Sequence, residues 1–342
     1  MNDRAAARLL HADPAAADFA AVIADAAAVL RSGRLVAFPT ETVYGLGADA
    51  LDAAAVQRIY AAKGRPSFNP LIVHLADASW LPRVVAHVTP LARTLAAAFW
   101  PGPLTILLPR GASVPDGVTA GLANVGVRVP AHPVALALLV AADRPIAAPS
   151  ANAYTRVSPT TAEHVLAQLG DRIDVVLDGG PTQVGIESTV VDATGERPLL
   201  LRLGGVSVDA IERVAGPVLR PASVASGATP RPAPGMVERH YAPRARLVPF
   251  AASERAAVWQ RIGELTAAGE RVGLLAFDVD GAMAGCVQQL PRDAAGCARE
   301  LYAALHELDA AHCTVAFVER MPATAEFEAV ADRLARAGVP LR

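Results

Sequence analysis

The first two hundred residues alternate short apolar runs with longer amphipathic segments, and this alternation restricts the folds that the chain can adopt. Runs of strand length occur at 35–38, 71–75, 104–108, 125–129 and 146–148. Apolar residues at helical spacing predict helices over 15–32, 53–63, 90–100 and 133–142, and a capping box at 160–163 predicts a helix that ends at Leu169. Further strands at 175–177, 189–191 and 199–202 follow more tightly. The pattern predicts a layered α/β domain whose sheet is mixed and not purely parallel.

A proline-rich segment at 216–244 interrupts this alternation. It contains six prolines and shows neither helical nor strand periodicity. An irregular segment of this length is typical of a linker or a functional loop. Strands and helices then alternate again over about 100 residues. We therefore predict an N-terminal domain over 1–215, a linker over 216–244, and a smaller Rossmann-like α/β domain over 245–342.

The composition excludes several classes of protein. The chain has 342 residues, 53% of them hydrophobic, and a formal net charge of −2. It can bury a sizeable core, and it has no global basic field to attract nucleic acid or a membrane. Its apolar stretches are too short to span a bilayer, and acidic residues interrupt the N-terminal alanine-rich segment, so we expect a cytoplasmic protein. The spacing of Cys286, Cys297 and Cys313 fits neither a zinc site nor a disulfide framework and predicts buried thiols.

The basic residues are unusually uniform. Thirty of the 31 are arginine, and Lys63 is the single lysine. An excess of arginine and alanine is typical of mutational bias, and one remaining lysine can arise by chance. Lysine is nevertheless a compact point charge, whereas arginine presents a wide planar fork. A requirement for an ammonium at position 63 and a chance survival are both open at this point.

Polar segments lie at the ends of several predicted strands. They fall at 39–47, 63–74, 128, 149–160, 187–189 and 202. Strand ends that border a crevice are where α/β proteins bind ligands. If the segments converge, their hydroxyls, amide, imidazole and cationic groups suit a ligand with several anionic oxygens, such as phosphates and a carboxylate. The sequence contains no phosphate-loop, GxSxG or HExxH motif, and Gly45-Leu46-Gly47 is a poor dinucleotide fingerprint.

Each of these residues also has an ordinary structural interpretation. Thr42, Ser150 and Asn152 suit turns, His74 suits a strand end in the core, and Arg202 suits a solvated surface. Their occurrence together in one half of the chain favours the binding interpretation.

Several motifs together carry a resemblance to a known family. They are PTETVYGLG at 39–47, Lys63-Gly64-Arg65 continuing through Asn69-Pro70-Leu71 to His74, and Pro149-Ser150-Ala151-Asn152 followed by SPTT at 158–161. Over about 15–215 the chain resembles the YrdC-like domain of the threonylcarbamoyl-AMP synthases. PGM at 234–236, HYAP at 240–243 and the α/β segment beyond resemble the long, two-domain form of this family.

The resemblance implies an open, twisted sheet with a concave, positively charged face. It also implies a nucleotidyltransferase that forms threonylcarbamoyl-AMP and pyrophosphate from L-threonine, bicarbonate or CO2, and ATP, with Mg2+. Separate machinery would transfer the threonylcarbamoyl group to an adenosine beside the tRNA anticodon. This reaction needs no covalent protein nucleophile, in agreement with the absent nucleophile motifs.

The family pattern assigns roles to residues of this sequence. Lys63 and Arg65 would be catalytic. L-Threonine would be held by Thr42, His74, Arg128, Ala148 and Ser188. ATP would be held by Arg65, Asn69, Asn124, Ser150, Asn152, Ser158, Arg202 and Tyr241. The sequence departs from the pattern at Asn124, where threonine is expected, and near Thr155, where glycine is expected.

Two other functions stay open, and the linker has an expected role. A basic face could bind double-stranded RNA or tRNA without catalysis, although the net charge of −2 disfavours a large phosphate-driven contribution. A hydrogenase-maturation carbamoyltransferase would need acylphosphatase-like and zinc-binding segments, neither of which is visible in the sequence. We expect the linker at 216–244 to act as a lid that orders when ligands bind.

Overall fold

The computed structural model describes residues 6–221 and 240–339 and divides the chain into two compact units. The described residues of the first unit are 6–154, 159–183 and 187–221, and those of the second are 155–158, 184–186 and 240–339. Most of the predicted linker, including PGM at 234–236, lies outside the described residues. The predicted domain boundaries and the lid therefore stay predictions.

The first unit is built on a large mixed sheet. In chain order its described strands are β1 (Arg8–His11), β2 (Val36–Phe38), β3 (Gly45–Asp49), β4 (Ile72–His74), β5 (Leu104–Pro109), β6 (Asn124–Arg128), β7 (Ile146–Ala147), β8 (Val175–Asp178), β9 (Thr189–Asp192) and β10 (Leu199–Arg202). Their order across the sheet is β1-β8-β2-β3-β7-β4-β6-β5-β9-β10. The sheet contains both antiparallel pairs, such as β2 with β3, and parallel pairs, such as β4 with β6, which confirms the mixed sheet.

Seven described helices accompany this sheet. They are α1 (Phe19–Arg31), α2 (Ala53–Lys63), α3 (Pro90–Phe99), α4 (Asp116–Thr119), α5 (Pro133–Ala142), α6 (Ala162–Leu169) and α7 (Val208–Ala215). The helix predicted from residue 15 begins four residues later, because Asp13 Oδ1 accepts from Ala15 N–H and holds that segment in a turn. The sequence patterns did not predict β1, β3, α4 or α7.

Apolar side chains fill both faces of the sheet. Successive residues of a strand point to opposite faces, so Leu35 and Ala37 lie in one buried cluster while Val36 and Phe38 lie in another. Residues of α2 and α3 belong to the first cluster, and residues of α1 and α5 belong to the second. The sheet is therefore a middle layer between helices, and the strand ends and connecting loops carry its polar groups.

The second unit has its own four-stranded sheet. The strands are β11 (Arg246–Phe250), β12 (Val272–Ala276), β13 (Cys286–Gln289) and β14 (Val315–Glu319), and they pair in the order β11-β14-β12-β13, all parallel. The described helices are α8 (Arg255–Ala267), α9 (Ala294–Ala310) and α10 (Glu328–Ala337). This confirms the smaller α/β unit. The last helix, α10, follows a short 3-10 turn at Ala325–Phe327.

Two other sequence predictions concern the whole chain. The three cysteines are buried and free, as predicted. Within the described ranges, no helix is both long enough and apolar enough to cross a membrane.

Candidate active site

Lys63 is the last residue of α2, and its ammonium reaches the loop that follows β7. Asp52 caps the start of the helix, and Gly64, at φ 61°, ends it in a left-handed turn. Lys63 Nζ donates to the Ser150 carbonyl at 2.5 Å, the Asn152 carbonyl at 2.5 Å and Asn152 Oδ1 at 3.3 Å. The structure thus brings Lys63 together with Ser150 and Asn152, which lie 87 and 89 residues further along the chain.

The surroundings of Lys63 suit a small cation. The side chain is 2% exposed, and burial, together with the Arg65 guanidinium, lowers the pKa of Lys63 well below its usual range. The three acceptors around Nζ match the three protons of an ammonium and oppose this shift. An ammonium carries its three donors on one atom, whereas the donors of a guanidinium spread over one plane, which gives a physical reason for lysine at position 63.

Arg65 and Asn69 are held by the segment that follows α2. Arg65 donates from Nε to the Asn69 carbonyl at 3.3 Å and from Nη2 to the Pro70 carbonyl at 2.9 Å. Asn69 Nδ2 donates to the Tyr154 hydroxyl at 3.0 Å, and Tyr154 N–H donates to the Lys63 carbonyl at 2.9 Å. Tyr154 therefore connects Asn69 to Lys63. We call this set the Lys63 cluster: Lys63, Arg65, Asn69, Ser150 and Asn152.

The parallel strands β4 and β6 end side by side and carry a second polar group of residues. His74 lies directly opposite Arg128 in the register. Arg128 is 3% exposed, and it donates from Nη1 to Thr42 Oγ1 at 3.0 Å and from Nε to the Gly102 carbonyl at 3.2 Å. The loop after β2 thus places the Thr42 hydroxyl beside the Arg128 guanidinium. We call Thr42, His74 and Arg128 the Arg128 cluster.

His74 is neutral near physiological pH. Burial and, second, the Arg128 charge lower the pKa of His74 to about 3. Its Nδ1 atom is buried and makes no hydrogen bond to a residue that the structure describes. A neutral imidazole with an open ring nitrogen suits a hydroxyl or amine of a small ligand better than it suits an anion.

Arg202 and Ser188 are joined at the start of β9. Arg202 donates to the Ser188 carbonyl from Nε at 3.1 Å and from Nη2 at 2.9 Å, and Nη2 also donates to Ser188 Oγ at 3.0 Å. Ser188 Oγ lies 2.8 Å from Thr105 Oγ1. A residue assigned to ATP is therefore in direct contact with a residue assigned to threonine.

Two other predicted residues of the first unit lie along the same strands. Ala148 follows β7, and its N–H donates to the Ile72 carbonyl at 2.8 Å, so it lies between Ser150 and the His74 end of β4. Asn124 begins β6, whereas Arg128 ends it, which separates them by about 13 Å at the usual rise of a strand. Asn124 is thus not part of the Arg128 cluster.

Ser158 and Tyr241 belong to the second unit. The Ser158 carbonyl lies 3.1 Å from His306 Nε2, and Ser158 is fully buried. The ring of Tyr241 is buried between His240 and Tyr302, at centroid distances of 4.1 and 5.7 Å. Their assignment to ATP stays a prediction.

Sequence reasoning gave no role to Glu41 or Tyr154, which both contact predicted site residues. Glu41 Oε1 lies 2.6 Å from Arg128 Nη2, and both side chains are buried. For Glu41 the sequence offered only its position inside the PTETVYGLG motif, which does not indicate a contact with Arg128. Tyr154 had no comparable signal, because its contact with Asn69 depends on the folded loop.

Two family models match the chain. The model Sua5_yciO_yrdC, described as telomere recombination, matches residues 28–204, and a model described as the C-terminal domain of threonylcarbamoyl-AMP synthase matches residues 206–338. The fold and the polar clusters thus define a YrdC-like α/β protein that continues into a second α/β unit.

Curated and solved relatives cover nearly the whole chain. A threonylcarbamoyl-AMP synthase from Pyrococcus abyssi is 42% identical over 322 residues, covering 91% of this chain and 92% of the relative. One from Bacillus subtilis is 43% identical over 324 residues, covering 92% of each. The crystal structure of P. abyssi Sua5 complexed with L-threonine aligns with a TM-score of 0.90 at 41% identity, covering 96% of this chain and 97% of that one. The chain belongs to the threonylcarbamoyl-AMP synthase family.

Proposed function

We propose that this protein forms threonylcarbamoyl-AMP and pyrophosphate from L-threonine, bicarbonate or CO2, and ATP. The carrying observation is the buried Arg128 guanidinium beside Thr42 and His74, in a chain that aligns over 96% of its length with a protein crystallised with L-threonine. A guanidinium fork pairs well with the carboxylate of an amino acid. The Thr42 hydroxyl and neutral His74 then provide uncharged partners for its other polar groups.

The reaction requires several anions to approach one another. The amine of threonine and bicarbonate form a carbamate and water, and a carbamate oxygen attacks the α-phosphorus of ATP while pyrophosphate leaves. Lys63, Arg65 and Arg202 would offset the repulsion between the carbamate and the phosphates and position them for this attack. Asn69, Ser150 and Asn152 would contact the nucleotide within the Lys63 cluster, and Ser188 would adjoin the threonine.

Mg2+ would enter this site with ATP. The described residues contain no group of three His, Cys, Asp or Glu side chains that could hold a metal ion. Magnesium in nucleotide sites commonly keeps waters and is bound largely by substrate phosphates. Mg2+ would therefore be held largely through the phosphates of the ATP substrate.

The chemistry of the product indicates which kind of enzyme would use it next. Threonylcarbamoyl-AMP is an activated mixed anhydride, so a transferase that acts on tRNA adenosine would consume it, and a cytoplasmic location would suit this exchange.

The test is pyrophosphate release measured with each substrate omitted in turn, with the adenylate detected by mass spectrometry. Release should require both L-threonine and bicarbonate, and Lys63→Ala should abolish it. Pyrophosphate release without threonine, or full adenylate formation by the Lys63→Ala variant, would contradict the proposal. The alternative of an RNA-binding module predicts a gel shift of double-stranded RNA or tRNA that weakens at higher salt and needs no ATP.

A further inference from the structure

Glu41 is a buried carboxylate with open hydrogen-bonding capacity. It lies in the loop between β2 and β3, and its side chain is 6% exposed. Its Oε1 atom is 2.6 Å from Arg128 Nη2, yet the two atoms are not aligned as a hydrogen bond, and neither carboxylate oxygen has a hydrogen-bond partner among the residues that the structure describes. Buried carboxylates are normally hydrogen-bonded, because an unsatisfied one is costly to desolvate.

The charged and titratable groups around the Glu41–Arg128 pair come from three neighbouring elements. Arg128 at the end of β6 is the close cation. His132, before α5, accepts from Val134 N–H through Nδ1, and burial lowers the pKa of His132 although Glu41 opposes this effect. His74, at the end of β4, faces Arg128 and is neutral near physiological pH. Glu41 thus has one permanent cation beside it, and its free oxygens are available to another.

A zwitterionic amino acid supplies such a cation at the required place. Its ammonium lies only two bonds from its carboxylate. If Arg128 receives the carboxylate, an acceptor for the ammonium must stand next to the same guanidinium, and Glu41 stands there. Thr42 and His74 cannot neutralise a positive charge.

We propose that Glu41 receives the α-ammonium of the amino-acid substrate and takes one proton from it. This rests on the proposed function. The proton moves from the ammonium to the Glu41 carboxylate, which leaves a neutral amine with a free electron pair. That pair forms the bond to the carbon of bicarbonate, and the bicarbonate hydroxyl leaves with the second amine proton as water. The products are the carbamate, water and a protonated Glu41.

The first test is binding of L-threonine and of 3-hydroxybutyrate, which lacks the amine, measured by titration calorimetry without ATP. The wild-type protein should bind L-threonine at least 10-fold more tightly. The Glu41→Gln substitution should remove most of this difference. The variant should bind L-threonine more weakly than the wild-type protein does, and it should bind 3-hydroxybutyrate equally well or better. The proposal would be overturned if the wild-type protein bound L-threonine and 3-hydroxybutyrate with equal affinity, or if Glu41→Gln kept the wild-type preference for L-threonine.

A pH profile separates the proton-acceptor role from a merely structural one. The kcat/KM of Glu41→Gln for L-threonine should fall at least 10-fold at pH 7, and the deficit should shrink toward pH 9, where more of the substrate carries a free amine. Glu41→Asp should recover part of the activity. A deficit that is the same at every pH would show that Glu41 only balances the charge of Arg128.

A matched variant controls for loss of a buried charge. Glu319 in the second unit is also buried and also pairs with an arginine, Arg255, at 3.2 Å. Glu319→Gln should leave the preference for L-threonine unchanged. The outcomes also separate this proposal from the proposed function. The dependence of binding on the amine tests the role of Glu41 even if no pyrophosphate is released. Threonine-dependent pyrophosphate release by the wild-type protein tests the proposed function.

Discussion

Replacement of Lys63 by arginine tests whether the site requires an ammonium. The substitution keeps the charge, but it puts a larger, planar group where three oxygens lie within 3.3 Å of Nζ. Overpacking of a filled site costs about 1–3 kcal/mol. A fork can serve two of the three acceptors, and the lost hydrogen bond costs about 1 kcal/mol more. We therefore expect Lys63→Arg to lower the free energy of unfolding by about 2–4 kcal/mol.

The assay is urea unfolding followed by tryptophan fluorescence in a Trp259→Phe background. This leaves Trp80 and Trp100, both in the first unit, as reporters. Arg58→Lys is the matched control, because Arg58 is exposed on the same helix and should change stability by less than about 0.5 kcal/mol. A Lys63→Arg variant that unfolds at the wild-type urea concentration and keeps wild-type adenylate formation would refute the reasoning.

Three further substitutions have expected effects. Thr155 has φ 66°, which is strained for a β-branched residue. In a denaturant titration, Thr155→Gly should therefore raise the free energy of unfolding by about 0.5–1 kcal/mol. As the control, Thr94→Gly inside α3 should lower it. Tyr154→Phe removes the hydroxyl that accepts from Asn69, and it should raise the KM for ATP roughly five-fold with little change in kcat, because the lost hydrogen bond is worth about 1 kcal/mol; an unchanged KM would contradict this. Below about pH 6.5 the unfolded state protonates His74 but the folded state, with its pKa of about 3, does not, so acid should lower stability by up to about 1.4 kcal/mol per pH unit. His74→Gln should make the curve of stability against pH less steep between pH 4 and 6, and an unchanged curve would contradict the shift.

Local signals explain which elements the sequence predicted. Asp52 and Thr89 cap their helices through side-chain hydrogen bonds to nearby backbone N–H groups, so the starts of α2 and α3 could be read within a few residues. The strand β3 gave no such signal, because it contains Gly45 and Gly47. A Cβ at Gly47 would lie 2.8 Å from the Phe38 ring, so this strand needs glycine where a strand pattern needs an apolar side chain.

The sequence predicted the contacts of Lys63 better than it predicted the surroundings of Arg128. The rarity of lysine and the motif spacing singled out Lys63, Ser150 and Asn152, which the structure brings into contact. Glu41 could not be assigned from sequence, because its role depends on Arg128, whose charge reaches it only after β6 is placed in the sheet. Residues whose partners come from distant strands are therefore the ones that only the structure identifies.

The second unit includes residues 155–158 and 184–186 from far upstream. Thr155 accepts a hydrogen bond from Ala242 N–H at 3.1 Å, and a side chain at Gly185 would collide with the backbone at Arg299. Cleavage of the polypeptide near residue 215 would therefore separate these peptides from the atoms they pack against. Either half expressed alone would expose residues that are buried in the intact chain. Recovery of the native fold would require both fragments to be refolded together.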